Sequence, residues 1–333
     1  MNLIYTVFAR ALAFGFNLFE LPFRAAQRVL GASKIAWLFV APNLIVFGLF
    51  TFLPIFINIY YSLTGGVELL PQNRPWIGLD NFAILLECQN YWDIQTCRKD
   101  IFWRAMQNTF KFSIYQVGLM VLFSLVTALV LNRKIVGRGF WRGVFFYPVL
   151  LSPVVVALIW KWLLQSQGAF NAGLVMAGSE PIEWLGDASW SFFWVVFVSI
   201  WAHMGFYTLI LLAGLQAIPQ DMYEAASMDG ASPWRTLRRI TLPLLMPNLI
   251  VVVVLALIRA VQIFDEVYVL TGGGPGSATT FVVQFIYQTG FAEQIHLYGL
   301  AAAASLILAA VLVLLTLAQL RLTKASDAGK RAR

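Results

Sequence analysis

The sequence predicts an all-α polytopic membrane protein with six transmembrane helices. Three observations predict it: little charge, six apolar runs of spanning length, and Lys and Arg gathered into alternate connections. Hydrophobic residues make up 60% of the 333 and charged residues 12%, with a mean hydropathy of +0.75. A soluble domain typically carries about 25% charged residues because its surface stays wet. With half that share this chain cannot cover itself in water, and lipid is the expected solvent.

A helix rises 1.5 Å per residue, so about 20 apolar residues cross a hydrocarbon core ~30 Å thick. The six runs are Ile35–Tyr60, Phe110–Leu131, Val144–Leu164, Phe192–Leu215, Leu244–Phe264 and Leu300–Leu320. None has the ten-residue alternation of a barrel strand, and a helix satisfies its own backbone in lipid. Pro42, Pro54 and Pro153 fall inside or near these runs, where neighbouring helices satisfy freed carbonyls. Residues 1–34 mix apolar side chains with Arg10, Arg24, Arg28 and Lys34, and no short apolar core leads to a small-residue cleavage site. They are expected to form a cytoplasmic, interfacial helix on the inner leaflet. The domain layout is then 1–34, a six-span domain 35–322 with an outer loop 61–109, and a basic cytoplasmic tail 323–333.

Orientation follows from Lys and Arg near span ends. The N-terminal segment, the connection after span two (Arg133, Lys134, Arg138, Arg142), the connection after span four (Arg235, Arg238, Arg239) and the tail together hold 16 of the 23 basic residues. Both termini are expected in the cytoplasm. The opposite loops carry the acidic residues Glu68, Asp80, Glu87, Asp93, Asp100, Glu180, Glu183 and Asp187. Trp76, Trp92, Trp103, Trp184 and Trp190 fall near the outer boundary and Trp37 and Trp141 near the inner one, the depth that tryptophan prefers.

The net charge of +7 belongs to these loops; no basic stripe stands apart to bind nucleic acid. Cys88 and Cys97 are too few for a disulfide framework or a tetrahedral metal site, and leave two readings, a bridge or two thiols. His203 and His296 are remote from them in sequence. No catalytic or metal-binding constellation is expected. The glycine run Gly272–Gly276 is followed by Ser277-Ala278-Thr279-Thr280, without the lysine that a phosphate-cradling P-loop requires. It reads as a structural turn or part of an outer gate.

One cytoplasmic connection, residues 218–243, is more than a turn. Pro219 suits a first helical position, and Asp221 lies in the first turn, where the helix dipole favours an anion. Tyr223–Met228 continues as helix, Gly230 ends it, and Ser232-Pro233 starts a second short helix carrying Arg235, Arg238 and Arg239. Pro243 then hands over to span five. Two short surface helices joined by a glycine bend are expected.

Glu224-Ala225-Ala226, then Gly230, then Ile240-x-Leu242-Pro243 resembles the EAA loop of permease subunits of bacterial ATP-binding-cassette importers. The longer form, through Asp229-Gly230-Ala231, is similar to the carbohydrate branch, which handles maltose-like sugars and glycerol-3-phosphate. Ala41-Pro42-Asn43, Gly78-Leu79-Asp80-Asn81-Phe82 and Thr271-Gly272-Gly273-Gly274-Pro275 agree with that branch. The resemblance runs from about Ser33 to Leu322. It implies the six-span type I (MetI-like) permease fold in a bacterial inner membrane and a non-catalytic subunit of a sugar importer. Glu224, Ala225, Ala226, Asp229 and Gly230 would form the contact with a separate ATPase. The implied partners are a second homologous permease, two ATP-binding subunits, a periplasmic or lipid-anchored solute-binding protein, and membrane lipids. ATP and Mg2+ would reside on the ATPase, with no cofactor in this chain.

Polar groups at membrane depth are costly and mark candidate functional positions. Span two offers Asn108 and Gln116, span four His203 and Tyr207, span five Arg259 and Gln262, with Asp265 and Glu266 following. A sugar route would use Gln116, Tyr207 and Gln262 as hydrogen-bonding groups, with aromatic faces from Trp160 or Phe206. Each also suits plain interhelical bonding. Arg259 is expected to pair with Asp265, Glu266 or a partner subunit; it could instead meet an anionic substrate, as could Lys161. A secondary transporter is the rival reading, but no internal repeat is evident; a non-transporting membrane scaffold or sensor is the other. Both leave 218–243 unexplained.

Overall fold

The computed structural model describes residues 31–331; the expected interfacial helix over 1–34 falls almost wholly outside them. The chain divides at Tyr60 into an N-terminal unit and a main unit starting at Tyr61. The N-terminal unit holds α1 (Ala32–Phe47), a π-helical turn (Gly48–Phe52) and α2 (Leu53–Ser62), whose last residues enter the main unit. Pro54 lacks the N–H for the carbonyl four residues back, and the π turn absorbs the mismatch without ending the helix. Phe39–Ser62 is long and apolar enough to cross a membrane.

The main unit comprises α3 (Asp80–Leu86), α4 (Asp100–Asn132), α5 (Arg138–Phe146), α6 (Pro153–Leu164), α7 (Ala169–Met176), α8 (Ala188–Gln216), α9 (Gln220–Met228), α10 (Pro233–Thr236), α11 (Leu242–Val261), α12 (Asp265–Leu270), α13 (Val282–Tyr287) and α14 (Tyr298–Arg331). Among the described residues five helical runs are long and apolar enough to span, six if a bent pair is counted as one span. The bent pair replaces the straight run expected over Val144–Leu164: Arg138–Leu150 and Pro153–Met176 meet at 100°. Pro153 disfavours helical backbone in the residue before it, and Ser152 is accordingly extended (φ −62°, ψ 139°).

Span five differs in the opposite sense. α10 does not lie apart as a second surface helix. A π turn, Leu237–Thr241, joins it to α11, so that Pro233–Val261 passes as one 29-residue span. Pro243 lies just after that π turn, which takes up its missing N–H as the earlier one does for Pro54. The last helix likewise runs past residue 322 to Arg331, through most of the expected tail.

α8 is the central helix. Asp187 caps it, its carboxylate accepting from Ser189 N (2.9 Å) and Trp190 N (3.0 Å). It packs against α4 and α11, while α12 packs on α6. α4 turns one face inward with Phe112, Gln116, Met120, Ser124 and Ala128, a spacing of about four residues. Gly205 makes the closest helix approach: a Cβ there would sit 2.3 Å from the Phe145 carbonyl oxygen. A second apolar cluster joins Leu85, Phe102, Phe285, Leu300 and Leu308, from α3, the start of α4, α13 and α14.

The 61–109 connection is built rather than loose. Arg74 is buried, and its guanidinium donates to Thr64 Oγ1 (2.9 Å) and to the carbonyls of Glu68 (2.6 Å), Gly66 (3.2 Å) and Thr64 (3.2 Å). Asn81 ties in by donating to Ser62 O (2.9 Å) and Thr64 O (3.1 Å). Cys88 and Cys97 form a disulfide across an antiparallel bridge. Trp103 and Trp184, expected as interface anchors, donate inward, to Leu85 O (2.9 Å) and Asn171 Oδ1 (3.0 Å).

Candidate functional site

Two constellations stand out, at opposite ends of the chemistry: an exposed helix and a buried polar cluster. The helix is α9. Asp221 sits in its first turn, and its C-terminus closes through Ala231 N donating to Ala226 O (2.9 Å) and Gly230 N to Ser227 O (3.1 Å). Gly230 has φ +66°, the left-handed backbone at which a side chain is strained. Glu224, Ala225, Asp229 and Gly230 are exposed, while Ala226 is buried. The five residues predicted from sequence therefore fall on one short helix and its cap. Ala226 anchors the helix, and the other four are available to a partner.

Tyr223 on α9 reaches Thr241 at the π turn, Oη to Oγ1 3.3 Å. Ser232 caps α10 by accepting from Arg235 N (3.3 Å). A groove of about 510 Å³ runs beside α9, lined by Asn132 and Arg133 at the end of α4 and by Tyr223, Ser227, Trp234 and Leu237. α9 is thus fastened to the start of span five and adjoins the end of span two.

The polar cluster joins α8, α11 and α12. Ser199, His203 and Tyr207 share one face of α8 at intervals of four residues. The Ser199 carbonyl can only accept, so His203 Nδ1 donates to it (2.8 Å); Nε2 is then free to accept from the Arg259 guanidinium, which it contacts. Glu266, buried in α12, faces the Ser199 hydroxyl, and the Arg259 charge reaches both Glu266 and Tyr207. Arg259 Nε is buried without a hydrogen-bond partner.

This corrects the expected Arg259 pairing. Among the described residues no carboxylate comes within 4.0 Å of Arg259; its direct partner is His203, one helix away. Span five breaks at Gln262–Phe264, and that break turns Asp265 and Glu266 onto a separate helix. Lys161, the other candidate cation, donates to Val269 O (3.0 Å) and holds α6 against α12.

Tyr207 and Arg259 are the only two of the predicted path residues drawn into this cluster. Gln116 is 0% exposed on the inward face of α4, and neither of its amide atoms has a partner. Trp160 belongs to an aromatic cluster, edge-on to Phe170, Phe197 and Trp201 and tilted against Trp194. Gln262 is exposed at the end of α11. Sequence reasoning overlooked Asn108 as a clamp, donating to Ser277 O (2.9 Å) and Thr280 O (3.1 Å). Backbone acceptors leave no mark in a sequence. The Gly272–Gly276 run is a structural turn, held by Thr279 Oγ1 donating to Gly274 O (2.8 Å) and Thr280 Oγ1 to Gly273 O (3.2 Å).

Residues 120–327, which contain α9 and the whole polar cluster, match the family model of binding-protein-dependent transport system inner membrane components. The chain belongs to that family. This transport component is 38% identical over 283 residues to the trehalose/maltose transport system permease protein MalF of Thermococcus litoralis, covering 85% of this chain and 90% of that one. It is 31% identical to the multiple sugar-binding transport system permease protein MsmF of Streptococcus mutans, over 86% and 94% of the two chains. Among solved structures, the component resembles a chain of a bacterial ABC transporter involved in import of the acidic polysaccharide alginate. The TM-score is 0.73 at 27% identity, over 90% and 99% of the chains. The protein is accordingly a multi-pass membrane permease with the MetI-like fold.

Proposed function

We propose that this permease forms the translocation path of an ATP-driven importer for an oligosaccharide-class solute and is driven through α9 by a separate ATPase subunit. The observation that carries the coupling role is the continuity of Pro233–Val261 with Tyr223 fastened to its base. A displacement of α9 is passed directly into a membrane span. The sugar class is supported by the relatives, named for trehalose/maltose and multiple-sugar transport, and by the alginate importer. Tyr207, and Arg259 held by His203, supply hydroxyl and guanidinium hydrogen bonds of the kind a sugar needs.

In this reading the chain pairs with a second, homologous permease. Two ATPase subunits carry ATP and Mg2+, and a solute-binding protein delivers substrate from outside. The membrane is the bacterial inner membrane, with both termini and α9 on the cytoplasmic side, as the basic connections require. Glu224 meets a basic residue of the ATPase and the small Ala225 lets the helix seat closely. Uptake by the reconstituted complex, compared for trehalose, maltose, alginate oligosaccharide and glycerol-3-phosphate, tests the assignment. ATP-dependent accumulation of at least one of the sugars is expected. ATP-independent uptake would instead favour a secondary transporter.

A further inference from the structure

Residues 88–97 form a closed hairpin on the connection between α3 and α4, outside the residues that the family model matches. The Cys88–Cys97 disulfide shuts its base, next to an Arg98–Glu87 ion pair (3.0 Å). Inside the loop, Thr96 Oγ1 donates to Asn90 O or Asp93 O (3.0 and 2.6 Å), and accepts from Asn90 N (3.0 Å). Asp93 Oδ1 accepts from Gln95 N (3.1 Å) and Asn90 Oδ1 from Trp92 N (3.0 Å). Tyr91 folds back, its hydroxyl on Leu86 O (3.2 Å) and its ring edge-on to Trp103. At the tip of this ordered loop stands Trp92, 96% exposed, and among the described residues no ring packs on it.

An indole is large and apolar, and leaving it fully in water at the tip of a cross-linked loop is unfavourable unless something covers it. Such a tip is what a protein interface uses as an anchor: an aromatic side chain held in place before binding, so that little entropy is lost on contact. The ring around it is polar and of mixed charge (Glu87, Asn90, Asp93, Gln95, Arg98), the composition of an interface rim rather than of a surface sunk in lipid. Position narrows the partner. The hairpin leads into the first turn of α4, and the last turn of α4 lines the groove beside α9. Thirty-three residues of helix, about 50 Å, separate the two. The hairpin therefore projects from the membrane face opposite to α9, where an oxidised cysteine pair persists.

We infer that the Cys88–Cys97 hairpin is a docking knob for the solute-binding protein, with Trp92 seated in an apolar pocket of that partner. The inference rests on the importer reading. It is tested with the full complex in nanodiscs, measuring ATPase activity while the binding protein is titrated, with maltose, trehalose and alginate oligosaccharide each as loading sugar. Trp92→Ala should raise the half-saturating concentration of binding protein about tenfold or more while leaving maximal activity unchanged. Trp92→Phe should recover part of the loss. A wild-type complex that no loaded binding protein stimulates would overturn the importer reading and the docking role with it. A stimulated wild type matched at every concentration by Trp92→Ala would overturn the docking role alone. Trp92 sunk in the outer leaflet would also overturn it; the sign would be brominated lipid quenching the wild-type minus Trp92→Phe emission before any binding protein is added.

Discussion

Arg259 is held by an acceptor without charge. His203 can accept from it only because the Ser199 carbonyl takes the proton on the other ring nitrogen. The guanidinium lies near Glu266 and Tyr207. Arg259→Gln should lower uptake by about tenfold or more, the scale of one lost buried polar contact of ~1.4 kcal/mol, while the complex still assembles. An equal fall in assembled complex, measured by co-purification, would reduce Arg259 to a strut. Gly205 makes a different demand, since its would-be Cβ meets the Phe145 backbone oxygen and not a movable side chain. Gly205→Ala should cost about 1–3 kcal/mol through overpacking, read as a lower melting temperature of the purified permease. The polar residues at membrane depth were legible one by one in the sequence. Their grouping was not: His203 and Arg259 are 56 positions apart, and the break at Gln262–Phe264 that removes Glu266 from span five carries no proline or glycine.

At the scale of elements, α9 was the most legible part of the molecule, because its cap, first-turn acid and terminal glycine are local signals. Gly230→Val places a β-branched side chain at φ +66°, a strain of about 1–2 kcal/mol. We expect assembled complex whose ATPase activity no longer drives uptake; uptake equal to wild type would count against α9 as the coupling element. The elements that sequence misplaced are those that proline both permits and breaks. Pro153 splits span three at 100°, whereas Pro243, preceded by the π turn Leu237–Thr241, leaves span five whole. Identical residue types give opposite outcomes according to whether the residue before the proline turns extended, as Ser152 does, or a π turn takes up the missing N–H and the helix runs on. A sequence read without knowing where the helix widens into a π turn cannot tell these cases apart.

For the whole molecule, composition and span length sufficed to place the chain in a membrane; the basic connections supply an orientation that a fusion can test. Alkaline phosphatase fused after Trp92 or Glu180 should be active, and after Ala231 inactive; the reverse pattern would invert the orientation. The outer hairpin was half legible, since two cysteines and a tryptophan near the outer boundary were visible but the closure into one rigid loop and the exposure of Trp92 were not. Span five carries a mechanical consequence. Its 29 residues make a rod about 44 Å long. Tyr223 clasps it at Thr241, about 30 Å of helix before Val261, so a tilt of about 5° around that point sweeps the far end through about 2.6 Å. Arg259 stands two residues from that far end, in a contact that survives only a few tenths of an ångström of stretch. Any push on α9 is therefore magnified along the rod before it reaches the cluster, and a stroke too small to disturb packing at the base is enough to unclasp the arginine at the tip.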